Sequence, residues 1–237
     1  YRKREGVINK TDRESITAKI GLNHNMFNDK LRFQLNINDS YVTQQRAWYA
    51  AYLNALLENP TRPIYDENGK FVEKLSSGDW NPLYNAHLAK KNTSTYTSIQ
   101  DNFNIDWRII PALRLQGRIS YTRQFDKRDL FKSPESLDYS TETDPKKKGT
   151  YFRSNSQSDK FDGNLTLQYN KVLGVHSLNV GVGSNLTEST EEGDSYTGVG
   201  FVNPDMVFIG AAISFEENSS PNGSYDKSRL VGFFGNV

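Results

Sequence analysis

Residues 98–125 read Ser98-Ile99-Gln100-Asp101-Asn102-Phe103-Asn104-Ile105-Asp106-Trp107-Arg108-Ile109-Ile110-Pro111-Ala112-Leu113-Arg114-Leu115-Gln116-Gly117-Arg118-Ile119-Ser120-Tyr121-Thr122-Arg123-Gln124-Phe125. Up to the proline, Ile99, Phe103, Ile105, Trp107 and Ile109 fall on one parity, and Ser98, Gln100, Asn102, Asn104, Asp106 and Arg108 on the other. A period of two is that of a strand, because successive side chains of extended backbone point to opposite faces. Pro111 cannot donate to a ladder and suits a turn. Beyond it Leu113, Leu115, Ile119 and Tyr121 alternate with Arg114, Gln116, Arg118, Ser120, Thr122 and Gln124. The stretch therefore predicts a long hairpin, apolar on one face and polar on the other. A protein core or bilayer hydrocarbon can hide such a face. Each arm alternates for about a dozen residues, beyond the ~5–6 of a globular strand and close to the ~9–11 of a tilted transmembrane strand.

The same pattern recurs on both sides. Ile16, Ala18, Ile20 and Leu22 alternate with polar neighbours, Phe27-Asn28-Asp29-Lys30 supplies a turn by Asx chemistry, and Leu31, Phe33, Leu35 and Ile37 alternate with Arg32, Gln34, Asn36 and Asn38. Further on, Phe161, Leu165, Leu167 and Tyr169 precede a turn over Asn170 to Val175, and Leu178, Val180, Val182 and Leu186 follow it. Leu230 to Val237 opens a seventh strand. Tyr1 to Asp12, charged and without period, reads as loop.

Three longer segments separate the hairpins. Thr43 to Thr95 carries an expected amphipathic helix over Thr43 to Glu58 and a tight type I′ hairpin centred on Asn68-Gly69. Asp126 to Asp159 holds the run Lys146-Lys147-Lys148, read as a solvated tip. Thr187 to Ser228 contains an apolar run from Met206 to Ile213, expected to pack under its own loop. Short turns near Phe27, Pro111 and Leu173 thus alternate with long segments, which in a meander puts every short turn at one end and every long loop at the other, as in outer-membrane barrels. Tyr41, Trp107, Tyr121, Phe125, Phe161 and Tyr169 fall near expected strand ends, where rings favour the headgroup level.

Composition narrows the function classes. Among 237 residues, 29 basic and 28 acidic give a net charge of +1, which does not point to nucleic acid. A mean hydropathy of -0.72 and the lack of any ~18-residue apolar run exclude a helical membrane protein but not a barrel, whose strands give half their residues to a polar lumen. Cysteine is absent, and His24, His87 and His176 lie on different elements without metal-ligand spacing. No nucleophile elbow, phosphate loop or dinucleotide fingerprint occurs, so the expectation is a protein without cofactor, metal site or catalytic residues. The residues singled out as possible ligand or partner contacts are the loop aromatics Trp48, Tyr49, Tyr52, Trp80 and Tyr84; their rings could stack on sugars or simply pack the loop.

Several loop and strand motifs carry a family resemblance. Asn59-Pro60-Thr61-Arg62-Pro63-Ile64-Tyr65-Asp66 with Gly69, Trp80-Asn81-Pro82-Leu83-Tyr84 leading into Asn102-Phe103-Asn104-Ile105-Asp106-Trp107-Arg108, Phe131-Lys132-Ser133-Pro134, and the terminal Gly232-Phe233-Phe234-Gly235-Asn236-Val237 resemble the SusC/RagA family of TonB-linked outer-membrane transporters. The resemblance implies an all-β, antiparallel up-and-down transmembrane β-barrel segment with long structured extracellular loops. It would be about seven strands of a larger barrel of roughly 22. Residues 1–237 would then belong to one barrel domain with no internal boundary, the plug and amino-terminal domains lying elsewhere. The implied function is TonB-dependent import of glycans or peptides across the bacterial outer membrane. A SusD-like lipoprotein, the TonB-ExbB-ExbD complex and outer-membrane lipid would be the partners. Read from the residues alone, a soluble or surface-attached all-β carbohydrate-binding module is the alternative.

Overall fold

The computed structural model describes residues 1–7, 10–46, 61, 63–74, 81–217 and 219–237. Backbone pairing places the strands in one antiparallel sheet in chain order: β1 (Arg2–Glu5), β2 (Asp12–Met26), β3 (Leu31–Gln45), β4 (Lys91–Ile110), β5 (Leu113–Lys132), β6 (Thr150–Leu173) and β7 (His176–Val199). The long edge of β7 then pairs with β9 (Asn222–Asn236), while the two-residue β8 (Ser214–Phe215) pairs with its far end. Among the described residues one short α-helix, α1 (Pro82–Leu88), precedes β4. The sheet is an open up-and-down wall, with the three expected hairpins in place.

Two of the short turns have a local cause in left-handed backbone. Phe27, Asn28 and Asp29 all take left-handed φ, a region that Asn and Asp enter most easily among non-glycine residues. Gly174 at φ +62° opens the two-residue loop between the paired Leu173 and His176, the arrangement of a type II′ hairpin. All three short turns lie at one end of the wall, and the described residues of the longer connections, 63–74, 81–90, 133–149, 200–217 and 219–221, lie at the other.

Register explains which residues share a face. Phe33, Ile105, Gly117 and Leu165 are successive cross-strand partners from β3 to β6, and Leu35, Phe103 and Ile119 form the next row. On β7 and β9 the same face carries Val182, Leu186, Val231 and Phe233. The rows form an apolar band that stays open: Ile20, Leu22, Ile119, Leu165, Val182 and Phe233 are each close to half exposed or more. Among the described residues no second sheet or helix covers the band. Gly117 lies under it, where Ile105 Cγ2 comes within 2.7 Å of the place a Cβ would occupy.

The band has a measurable height. From Leu113 to Tyr121 on β5 is about 27 Å along the strand at ~3.4 Å per residue, or ~21 Å in height at a tilt of ~40°, a few ångströms under the ~25 Å apolar belt of an outer-membrane barrel. Trp107 and Tyr169 sit at its lower border beside the short turns. Just above Tyr121 the same face turns ionic. Asp159 accepts from Arg123 Nε at 2.6 Å and from the Tyr121 hydroxyl at 2.6 Å, and Glu188 pairs with Lys227 at 2.7 Å and with Arg229.

Several expectations are corrected. Residues 2–5 are not loop but an edge strand, whose charged residues pair across the ladder, as Lys3 does with Glu14 at 4.0 Å. Thr43–Gln45 extends β3 rather than starting a helix, and Arg46 N donates to the Asn92 carbonyl at 2.8 Å; residues 47–58 of that expected helix lie outside the described residues. Asn68-Gly69 does not form a two-residue I′ turn. Tyr65 and Phe71 pair across a wider loop in which only Gly69 is left-handed and Asp66 Oδ1 accepts from the N–H groups of Asn68 and Lys70. Much of the expected loops 126–159 and 187–228 is strand, because β5, β6 and β7 continue past the band. Tyr121 and Phe161 are therefore mid-strand partners at the band's upper border, not strand-end residues. The run Met206 to Ile213 packs onto the wall rather than under its own loop: Val207, Ile209, Ala211 and Ala212 touch Phe131, Tyr151 and Phe201.

Candidate functional site

Two regions can meet a ligand or partner: the polar inward face and the crown where the long segments gather. The inward face follows from parity, since the residues between the apolar ones are Asn, Gln, Ser, Thr and charged types. Their side chains bond across strands. Ser120 Oγ lies 2.9 Å from Asn102 Oδ1, Thr187 Oγ1 donates to Asp162 at 2.9 Å, and Asn164 Nδ2 donates to Asn185. Near the short turns Arg114 donates twice to Asp106, from Nε at 2.7 Å and from a second guanidinium nitrogen. Such a surface stays wetted and can exchange hydrogen bonds with a polar solute.

The crown is held by a small core that the open wall otherwise lacks. Phe131, Tyr151 and Phe201 are fully buried, with Phe131 and Phe201 edge to face at 5.2 Å. Phe131 and Tyr151 face outward on the parts of β5 and β6 above the band, so Phe201 brings the segment after β7 down onto the outer side of the wall. Beside them Asp129, 6% exposed, accepts from Arg153 Nε at 2.7 Å and lies 3.6 Å from Lys91 Nζ and 3.8 Å from Lys127 Nζ. A carboxylate this buried persists because three cations surround it. The Lys91 and Arg153 side chains also lie over the Tyr151 ring.

Asn81 organises the segment before β4. Its Oδ1 caps α1 by accepting from the Leu83 N–H at 3.0 Å, and its Nδ2 donates to the carbonyls of Ile64 at 3.1 Å and Val72 at 2.8 Å. One buried side chain thus ties the helix start to the loop around Gly69. Asn85 continues the chain of contacts, its Oδ1 accepting from Ser136 Oγ at 3.1 Å and Leu137 N at 2.9 Å on the neighbouring connection. Asn81→Ala removes all three bonds; the Ile64 carbonyl keeps the Val72 N–H at 3.1 Å, but the Val72 carbonyl and the Leu83 N–H lose their Asn81 partner, at an expected cost of about 2 kcal/mol. Limited proteolysis of the full-length protein should then nick residues 64–88 faster while the heat-modifiable barrel persists. Unchanged cleavage would refute the role given to Asn81.

Of the aromatics singled out by sequence, Trp48, Tyr49, Tyr52 and Trp80 lie outside the described residues. Tyr84 sits on α1, half-buried, and burial, reinforced by Glu73 and Glu135, pushes its phenol above the ordinary tyrosine range. It stays a protonated donor. Tyr139, in the 133–149 connection, is raised by burial as well and donates to Thr150 Oγ1 at 3.2 Å. Sequence reading missed Asn81, Asp129 and Phe201. Only Asn81 carried a usable signal, an N-cap residue followed by proline at the first helical position.

An apolar belt of barrel height, an opposite polar face, and short turns segregated from long connections define a section of outer-membrane β-barrel wall. No family model matches the chain. In sequence it is 28% identical over 141 residues to a TonB-dependent receptor of Formosa agariphila, covering 57% of this chain and 14% of that protein. It is 24% identical over 235 residues to the TonB-dependent receptor SusC of Bacteroides thetaiotaomicron, covering 83% of this chain and 22% of that protein. Its fold matches the RagAB peptide importer in the closed-closed state with a TM-score of 0.71 at 13% identity, over 95% of this chain and 26% of the other. A second RagAB peptide transporter structure matches with a TM-score of 0.70 at 14% identity. The chain is SusC/RagA-like, similar in sequence to TonB-dependent receptors and in fold to an outer-membrane importer barrel, and spans about a quarter or less of the proteins it matches.

Proposed function

We propose that residues 1–237 belong to a single barrel domain, without an internal boundary, of a TonB-dependent importer that carries peptides or oligosaccharides across the outer membrane. The observation that carries this reading is the pairing of an open apolar belt with a hydrogen-bonding inward face along the same strands. A soluble binding module has no use for such a belt. The crown then lies on the extracellular side, where a SusD-like or RagB-like lipoprotein would cover the lumen, and Tyr84 would meet cargo or that partner. Coupling to TonB-ExbB-ExbD belongs to parts of the protein outside this stretch. The chain's own contribution is a wetted wall and an outer rim, with no catalytic step.

Topology tests the reading. Short epitopes are inserted into the full-length protein near Gly69, Lys147 and Ser220, and separately near Asn28, Pro111 and Gly174. Antibody on intact cells should label the first set. The second set should remain dark until the outer membrane is opened, since insertions at either place spare the ladder but lie on opposite sides of the bilayer. Labelling at Pro111 on intact cells as strong as at Lys147, in assembled protein, would overturn the barrel reading.

A further inference from the structure

Near the short turns the inward face carries more positive charge than it neutralises. Arg32, Arg108, Arg114 and Arg118 stand on three adjacent strands around one carboxylate, Asp106. Register sets Arg32 beside Asp106, Arg108 directly opposite Arg114, and Arg118 opposite Asn104. Asp106 is taken up by the two bonds from Arg114. Arg32, Arg108 and Arg118 are exposed, and among the described residues none of the three donates a side-chain hydrogen bond. Two like charges directly opposite on a sheet repel, so the Arg108–Arg114 pair costs stability until an anion joins it. The cluster borders an open depression of about 570 Å³ lined by Asn104, Gln116, Asn164 and Thr166 with Arg32 and Arg118.

Guanidinium groups bind carboxylates through paired, charge-assisted hydrogen bonds, and Arg114 already holds Asp106 in that way. We infer that Arg32, Arg108 and Arg118 form a carboxylate-binding station on the inward wall, and that its ligand is cargo carrying several carboxylates. The inference rests on the importer reading above. Solvent-exposed arginines with Asp106 as a built-in competitor make a site that captures an anion and releases it again, as passage through a pore requires. The uncharged amides lining the depression would bond the remainder of the oligomer without adding selectivity.

The test uses the full-length protein in detergent and the probe tetraglutamate, with tetraglutamine as the neutral control and tetragalacturonate as a second source of carboxylates. Phenylglyoxal modification of each arginine is followed by mass spectrometry. Tetraglutamate should slow modification of Arg32 and Arg118 by about tenfold, tetraglutamine should not, and ~1 M salt should abolish the protection. Protection by tetragalacturonate as well would extend the cargo to acidic glycans, and its absence would restrict it to acidic peptides. Binding of fluorescent tetraglutamate should weaken about tenfold in R32Q/R118Q and tighten in D106N, which frees Arg114. Arginines that react slowly before any probe is added would mean that the protein's own interior segment covers them. Fast reaction without protection would mean that no ligand is held; either result overturns the station. The wall itself is checked separately: Asn104→Cys should label with a charged maleimide and Ile105→Cys should not. Failure there would remove the importer reading as a whole.

Discussion

Ile105→Arg is expected to block assembly of the full-length barrel, whereas Asn104→Arg, one residue away, leaves it intact. Ile105 faces outward between its cross-strand partners Phe33 and Gly117 and covers the glycine. It lies five residues from the end of β4, about 17 Å along the strand or ~13 Å in depth at a ~40° tilt, near the middle of the belt. A guanidinium there is too deep to reach either interface fully, at a cost of roughly 2–4 kcal/mol. Asn104 faces inward beside Gln34 and opposite Arg118, on a surface that water reaches. A new arginine there meets one like charge across the ladder, a far smaller penalty. The measurement is the heat-modifiable fraction on unboiled gels of outer membranes, with Leu115→Arg and Gln116→Arg as the matching pair on β5. Equal assembly of the two members of each pair would remove the assignment of faces on which the fold's interpretation rests.

How far the chain could be read in advance follows from which force set each part. Within the belt one face must be apolar, so period two is imposed on the sequence, and Phe33, Ile105, Leu115 and Leu167 could be assigned to strand and face from residue type alone. Above the belt both faces meet water. The sequence from Asp126 to Ser158 there carries no parity to follow, although β5 and β6 run through about half of it without a break in register. Backbone hydrogen bonding continues a ladder once a neighbour is present, and composition does not record it. The edge strand at residues 2–5 escaped notice for the same reason, as did the strand character of Thr43–Gln45.

The candidate site was legible only where local chemistry marked it. Asn81-Pro82 signals a helix start, and Asx residues signalled the Asn28 turn. The convergence of Arg32, Arg108 and Arg118 depends on register between strands from two different hairpins, which alternation within each strand does not specify. Asp129 and Arg153 meet across a connection of their own, and sequence alone offered no reason to pair them. Phe201 lies outside the apolar run that sequence reading noticed, yet it is the one buried side chain among the described residues 201–217.

That placement makes Phe201→Ala the second large effect. Phe201 is 1% exposed and is the ring through which residues 200–213 are seated against Phe131 and Tyr151. Backbone bonds from Phe201 N to Lys148 O at 2.9 Å and from Gly200 N to Gly149 O at 3.1 Å hold the segment's base to the 133–149 connection, but they leave the ring's cavity unfilled after truncation. Deleting a fully buried phenylalanine costs about 3–5 kcal/mol, and the crown has few other buried side chains to share the loss. The barrel wall below should not respond, since its stability comes from the ladder and the belt. Hydrogen exchange on the assembled, full-length variant should therefore show residues 200–215 losing protection by orders of magnitude while β5 and β6 below Tyr121 and Phe161 stay protected. Met206→Ala serves as the control in the same segment, because Met206 is 49% exposed and its truncation should stay within ~0.5 kcal/mol. If exchange across 200–215 is the same in Phe201→Ala as in Met206→Ala, the aromatic cluster is not what holds the crown to the wall, and the ion pairs of this segment, Lys147–Glu217 at 3.2 Å and Lys90–Asp205, must carry it instead.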